Sequence, residues 1–169
     1  MKNILITGVS KGLGLVTARL ALENGYTVYG ISRTKTVELE KLLSENTTTF
    51  FWKSIDLINR KSDMNEEVFK NFLNNKIPLH GFVNNAAIAY DDIITNLNLI
   101  RLEEMYYANV LNPMLFTKYA IRNMLFNKLE GSIVHISSIS VHTGYKGLAM
   151  YASTKGAMEA FSKNTAREW

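Results

Sequence analysis

The run Thr7-Gly8-Val9-Ser10-Lys11-Gly12-Leu13-Gly14 constrains this chain more than any other feature, because its three glycines separate two different periodicities. Before it, residues 3–7 form a short apolar run. After it, Leu13, Val16, Thr17, Leu20 and Ala21 recur at helical spacing until Asn24 and Gly25 stop the pattern. The reading is strand, tight turn, helix. Gly8 permits the turn, Gly12 lets a ligand approach the backbone, and Gly14 lets the helix start against the strand. At such a junction the backbone of Gly8, Ser10, Lys11, Gly12, Leu13 and Gly14, with the positive end of the helix dipole, can hold a pyrophosphate. Turns before helices also use glycine for purely structural reasons, and a glycine triplet does not by itself decide between the two.

The alternation continues along the chain. Residues 27–31 form a second β-branched run, 38–43 a short helix, 48–52 a third strand, 66–73 a helical segment and 79–83 a fourth strand. Residues 102–126 read as one long helix, 132–136 as the fifth strand, and a final helix starts around Met150. Strands separated by helices of this length call for right-handed crossovers, hence an α/β, doubly wound parallel sheet with five strands within this chain. With no repeat or linker and only Pro78 and Pro113 as prolines, residues 1–169 are expected to form a single domain. The last helix runs to Trp169 with no glycine cap, and an apolar fifth strand at a sheet edge needs a cover; both predict C-terminal incompleteness.

Composition removes several chemistries. The chain has no Cys, which excludes a disulfide scaffold, a thiolate metal site and a thiol nucleophile. His80, His135 and His142 have no metal-ligand spacing and read as structural, so no metal is expected. The net charge of +4 is spread among acidic residues rather than striped with aromatics, which argues against a nucleic-acid partner. No secretory leader or membrane-spanning apolar run is visible, and a cytoplasmic protein is expected.

Four later motifs follow the glycine turn: Asn84-Asn85-Ala86-Ala87 after the fourth strand, Asn109 in the long helix, Ser138 after the fifth strand, and Tyr151-xxx-Lys155 opening the last helix. In this order, with the Gly-xxx-Gly-x-Gly spacing, the chain resembles the short-chain dehydrogenase/reductase family over its whole length. The resemblance implies a Rossmann-like dinucleotide-binding fold and a nicotinamide cofactor. It assigns Asn109, Ser138, Tyr151 and Lys155 to catalysis, and Asn84, Ala86, Tyr151 and Lys155 also to cofactor binding. Asp56-Leu57 looks like the family pair that contacts adenine, with a turn-capping Asp as the competing reading. Where the family usually has Gly, Ala87 stands here; it costs about 1 kcal/mol if the backbone needs positive φ and nothing otherwise.

The end of the second strand carries Ser32-Arg33 in place of the acidic residue that takes the ribose hydroxyls of NAD. Arg33 with Lys11 can meet a 2′-phosphate, so NADP (NADPH) is expected over NAD; ordinary exposed cations are the alternative. Tyr151 and Lys155 share a helix face, and an ammonium there is expected to lower the tyrosine pKa and make Tyr151 the acid/base for hydride exchange between nicotinamide and a carbonyl or secondary alcohol. Ser138 can reach the same oxygen, whereas Ser137 points oppositely. Pro113 has no N–H for the carbonyl of Asn109, which leaves it open for a water-linked relay toward Lys155, unless the kink serves packing alone.

Within the family the chain is most similar to the 3-oxoacyl-[acyl-carrier-protein] reductase type, through Asn84-Asn85-Ala86-Ala87-Ile88 and Asp91. That implies an acyl thioester or other small carbonyl substrate, acyl carrier protein as a partner, fatty acid biosynthesis as the setting, and a homodimer or homotetramer. The family's C-terminal strands and substrate loop are missing after Trp169, and a non-catalytic nucleotide-binding or dimer-forming fragment is the alternative.

Overall fold

In the computed structural model, which describes residues 1–59, 64–74 and 76–169, the strands form one parallel sheet with helices on both faces. The strands β1 (Lys2–Thr7), β2 (Tyr26–Ser32), β3 (Phe50–Ser54), β4 (Gly81–Asn84) and β5 (Ser132–His135) stand in the order β3-β2-β1-β4-β5. Every neighbouring pair is parallel. The chain therefore steps outward from β1 to β3 and then returns to the other side of β1. The order reverses between β1 and β4, and a crevice at the carboxyl ends of those strands is where such sheets receive ligands. This is the doubly wound, Rossmann-like sheet that the alternation calls for.

Side chains alternate across each strand, so the two faces acquire separate cores. On one face Leu5, Tyr29, Ile31 and Phe82 meet Phe116, Ala120 and Met124 of α4 (Asn112–Phe126) and Val68 and Phe69 of a π-helical stretch, Glu66–Phe72. On the other, Ile6, Val28 and Val83 meet Leu15 and Ala18 of α1 (Gly12–Glu23) and Leu39 and Leu42 of α2 (Val37–Glu45). Each large apolar side chain buried in these layers contributes roughly 1.5–3 kcal/mol. Helix starts are set locally: Thr36 caps α2 by accepting from Leu39 N, and Asn98 caps α3 (Leu99–Tyr106) by accepting from Arg101 N.

The expected boundaries shift where turn chemistry intervenes. The third strand begins at Phe50 rather than residue 48 because Thr49 N and Phe50 N both bond Asn46 O and extend the turn after α2. The long helix is broken into α3, a π-turn at Tyr107–Leu111, and α4. Pro113 explains the break: it donates nothing to the carbonyl four residues back, and the backbone widens into a π-turn just before it. Two short elements were not foreseen, a 3-10 turn at Ile94–Asn96 and α5 (Ser140–Thr143). The last helix, α6, runs from Ala149 to Glu168. Among the described residues β5 has β4 as its one neighbour, and Val134 on it is 48% exposed. No helix among the described residues is long and apolar enough to cross a membrane.

Candidate active site

The glycine turn is built as its sequence demands. Gly8 and Gly12 hold φ at +78° and +58°, a region costly to other residues. A methyl group at Gly14 would lie 2.2 Å from Gly8 O and 2.5 Å from Asn85 Nδ2, so only glycine fits where α1 meets the end of β1. Gly12, in contrast, has nothing within 4 Å of such a methyl and presents open backbone. Gly8 N donates to Ile31 O at 2.7 Å, and Thr36 Oγ1 donates to Ser10 O at 2.5 Å, so β2 and α2 both anchor the turn.

From β4, Asn85 N and Ala86 N donate to Thr7 Oγ1 at 3.0 and 2.9 Å, and Asn85 Nδ2 donates to Thr7 O at 2.9 Å. These bonds fix one wall of a cleft of about 450 Å³ at the carboxyl ends of the strands. Gly8, Ser10, Lys11, Gly12, Leu13, Gly14, Ser32, Arg33, Asp56, Leu57 and Ala86 all border it. The cleft's open glycine backbone and its position at the start of α1 suit the phosphates of a nucleotide.

Four expected ligands have a different local role or place. Asn84 does not border the cleft: its side chain is buried, with Nδ2 3.3 Å from His135 Nδ1, because the last residue of a strand points to the face opposite its neighbour Asn85. Ser32 borders the cleft but uses its hydroxyl at home, donating to Thr34 O at 3.0 Å and accepting from Trp52 Nε1 at 2.8 Å. Tyr151 and Lys155 lie beyond the walls of this cleft. Lys11 and Arg33 are exposed, with no ion pair among the described residues, whereas the nearby Lys35 pairs with Glu40 at 3.7 Å. Asp56 Oδ1 accepts from Ile58 N, so the turn-capping role is present alongside its place on the cleft wall. Ala87 is not among the described residues with positive φ, and its methyl is therefore silent.

Four residues assigned to catalysis converge around the start of α6. Asn109, in the π-turn and 2% exposed, accepts from Ile88 N at 2.9 Å and donates to Ile88 O at 2.8 Å and Thr154 Oγ1 at 3.1 Å. Its amide thus ties the loop after β4 to α6. Lys155 is buried and donates from Nζ to Ile136 O at 2.8 Å. Burial holds its pKa below the ordinary lysine value. Tyr151 carries the opposite shift from the one expected: burial raises its pKa, a hydrogen bond with Ser138 lowers it, and the charge of Asp91 raises it. The expected acidification by Lys155 is not the dominant influence, since the ammonium lies 5.8 Å from the Tyr151 ring centroid and is engaged by Ile136 O. Ser138 and Ser137 do point apart. Ser138 meets Tyr151 and accepts from Ser140 Oγ at 2.8 Å, while Ser137 donates to Glu159 at 2.5 Å.

Sequence reasoning passed over two residues that shape the site. Asn85, read only as part of its motif, is the side chain that staples β4 to the glycine turn. Asn112 is 6% exposed and donates from Nδ2 to Leu57 O at 2.7 Å, which holds the loop after β3. Its signal was faint: an Asn three residues beyond Asn109, on the same helix face. Ile88 and Tyr151 pack against one small cluster, Tyr90, Met105 and Met150. Because Ile88 also borders the cleft, that cluster couples the cleft to the tyrosine.

Comparison with known proteins agrees with this geometry. The short chain dehydrogenase family model matches residues 2–169. L-xylulose reductase of Caenorhabditis elegans is 30% identical over 99% of this chain, and 3-oxoacyl-[acyl-carrier-protein] reductase of Buchnera aphidicola is 29% identical over 99%. The chain spans 65% and 67% of the length of these two relatives. Among solved structures, a short-chain dehydrogenase from Streptomyces avermitilis superposes with a TM-score of 0.89 at 27% identity, covering 99% of this chain and 60% of that one. The NADP-bound structure of ElxO superposes with a TM-score of 0.84 at 30% identity, covering 99% of this chain and 67% of that one. With the glycine turn, the Asn84-Asn85-Ala86 segment and the Ser138, Tyr151 and Lys155 side chains in these positions, the chain belongs to the short-chain dehydrogenase/reductase family of oxidoreductases.

Proposed function

We propose that residues 1–169 form a dinucleotide-binding catalytic domain that reduces a carbonyl with NADPH, using Tyr151 as the proton donor. The observation that carries this reading is the pairing of the cleft with the half-buried phenol of Tyr151 through Ile88, Asn109 and Thr154. The backbone from Gly8 to Gly14 would hold the pyrophosphate, Asp56 and Leu57 the adenine, and Arg33 with Lys11 the 2′-phosphate. When bound, the nicotinamide supplies hydride to the carbonyl carbon.

The chain's own groups manage the oxygen. Tyr151 gives its proton to the oxygen as negative charge develops there, and Ser138 offers a second hydrogen bond to the same atom. The phenol is protonated at neutral pH and so has a proton to give in the reductive direction, although burial, by raising its pKa, makes it a weaker acid than a free tyrosine. Lys155 places a positive charge beside the ring, and its bond to Ile136 O fixes the segment carrying Ser138. Asn109 keeps Ile88 against the cleft.

A 3-oxoacyl thioester is the leading substrate, with acyl carrier protein as its bearer and fatty acid biosynthesis as the setting; the name of the Buchnera aphidicola relative supports it. We further propose a cytoplasmic homodimer or homotetramer. The test is Tyr151→Phe, assayed by NADPH oxidation with acetoacetyl thioesters and simple diketones. Turnover falls at least about 100-fold while NADPH binding persists. Retained turnover refutes the assignment.

A further inference from the structure

Tyr151, Lys155 and Glu159 recur every four residues along α6, so their side chains share one helix face over roughly 12 Å at 1.5 Å per residue. All three meet the segment that follows β5. Ser138 lies close enough to Tyr151 to lower its pKa, Lys155 bonds the carbonyl of Ile136 at 2.8 Å, and Glu159 accepts from Ser137 at 2.5 Å. Glu159 also lies 3.1 Å from His142 Nε2 on α5. The consecutive serines thus reach opposite ends of this face, with the Ile136 carbonyl bonded in the middle. Neighbouring side chains of an extended segment point apart, so holding one fixes the direction of the other.

We infer that Glu159 is a positioning residue: by anchoring Ser137 and His142 it sets the peptide rotation that aims Ser138 at Tyr151. This rests on the proposed role of Tyr151 as proton donor. The carboxylate is suited to the task, because it is an acceptor with two donors and is only 20% exposed. Hydrogen bonding from Ser137, then the charge of His142 and its hydrogen bond and the charge of Lys163, together outweigh desolvation and hold its pKa below the ordinary carboxylate value. Among the described residues the hydrogen bonds of Ser138 are to Ser140, two residues on in the same segment, which gives it no comparable anchor to another element. Losing Glu159 leaves the Ser137 hydroxyl without its acceptor and the segment free to rotate.

The experiment compares Glu159→Ala, Glu159→Gln and Ser137→Ala. In Glu159→Ala and Ser137→Ala, kcat for carbonyl reduction falls about tenfold, the scale of one oriented hydrogen bond, with KM for NADPH within about twofold. Glu159→Gln keeps an oxygen acceptor for Ser137 and returns kcat to within about threefold of the native value. A second readout needs no turnover. Ser140 N donates to Ser138 Oγ at 3.2 Å, so its amide exchanges at least about tenfold faster in Glu159→Ala, while β1 amides keep their native rates. Unchanged Ser140 exchange, equal acceleration in β1, or an unaltered kcat overturns the inference. Tyr151→Phe run in parallel separates the two failures: if that variant stays active the proton-donor reading falls, whereas an inactive Tyr151→Phe with an unaffected Glu159→Ala removes Glu159 alone.

Discussion

Gly14→Ala tests whether the cleft depends on contact between α1 and the end of β1. The added methyl meets Gly8 O at 2.2 Å, Asn85 Nδ2 at 2.5 Å and Gly8 C at 2.8 Å, against 3.4–4 Å for an ordinary contact. Something must move by more than 1 Å, and none of these groups is loose. Gly8 is held by its 2.7 Å bond to Ile31 O, and Asn85 by its bonds to Thr7 O and Gly8 O. Overpacking of this kind costs about 1–3 kcal/mol, and a lost Asn85 bond adds about 1 kcal/mol. Alanine in a helix returns up to about 1 kcal/mol over glycine. The net destabilisation is therefore about 2 kcal/mol, which moves a urea midpoint down by about 1 M at a typical slope. Gly12→Ala is the matched control: it meets no atom within 4 Å and suffers only the strain of φ +58°, about 1 kcal/mol. Urea unfolding and NADPH titration are measured on both variants. Gly14→Ala is also expected to weaken NADPH at least about tenfold, since the displaced helix start carries the backbone N–H groups proposed to hold the pyrophosphate. Equal midpoints for the two variants, or native affinity in Gly14→Ala, refute the steric argument.

Arg33→Asp removes a charge-assisted bond and opposes a 2′-phosphate; KM for NADPH rises about ten- to hundredfold while KM for NADH changes little, and parallel changes for both cofactors exclude phosphate recognition. Asn112→Ala leaves Leu57 O without its donor, so NADPH binds about fivefold more weakly, whereas reduced nicotinamide mononucleotide, lacking adenine, is unaffected. Lys155 supplies a pH dependence whose sign is fixed by its lowered pKa. Below the folded-state pKa the lysine is protonated in both states and contributes no slope; between that value and 10.5 the unfolded chain holds more protons, so stability rises with pH. Tyr151 and Tyr29, both raised above 10.0, reverse the slope only at higher pH. Urea midpoints between the lowered folded-state value and 10.5 therefore climb in the native protein and climb less in Lys155→Met; identical slopes exclude Lys155 as the source.

The parts of the site legible in the sequence are those that backbone geometry dictates. The glycine turn could be assigned from residue type and position, because positive φ at Gly8 and the 2.2 Å approach at Gly14 admit no other side chain. The opposed directions of Ser137 and Ser138 followed from strand alternation, and the face shared by Tyr151 and Lys155 from helical spacing. What stayed hidden depends on partners distant in the chain. Nothing near Asn112 announces that its amide meets Leu57, 55 residues away, and nothing near Asn84 announces that its neighbour Asn85 faces the turn. The tyrosine pKa is the sharpest instance. A lysine four residues on predicts acidification, yet the direction is set by burial, which depends on how α6, through Met150, packs against Tyr90 and Met105. Packing also spends the lysine's donor on Ile136 O, so the ammonium acts first on the segment that carries Ser138 and only at 5.8 Å on the ring. On the proposed mechanism the same pair of residues thus has two distinct tasks: Tyr151 carries the proton to be donated, and the lysine, through Ile136 O, holds the segment that carries Ser138.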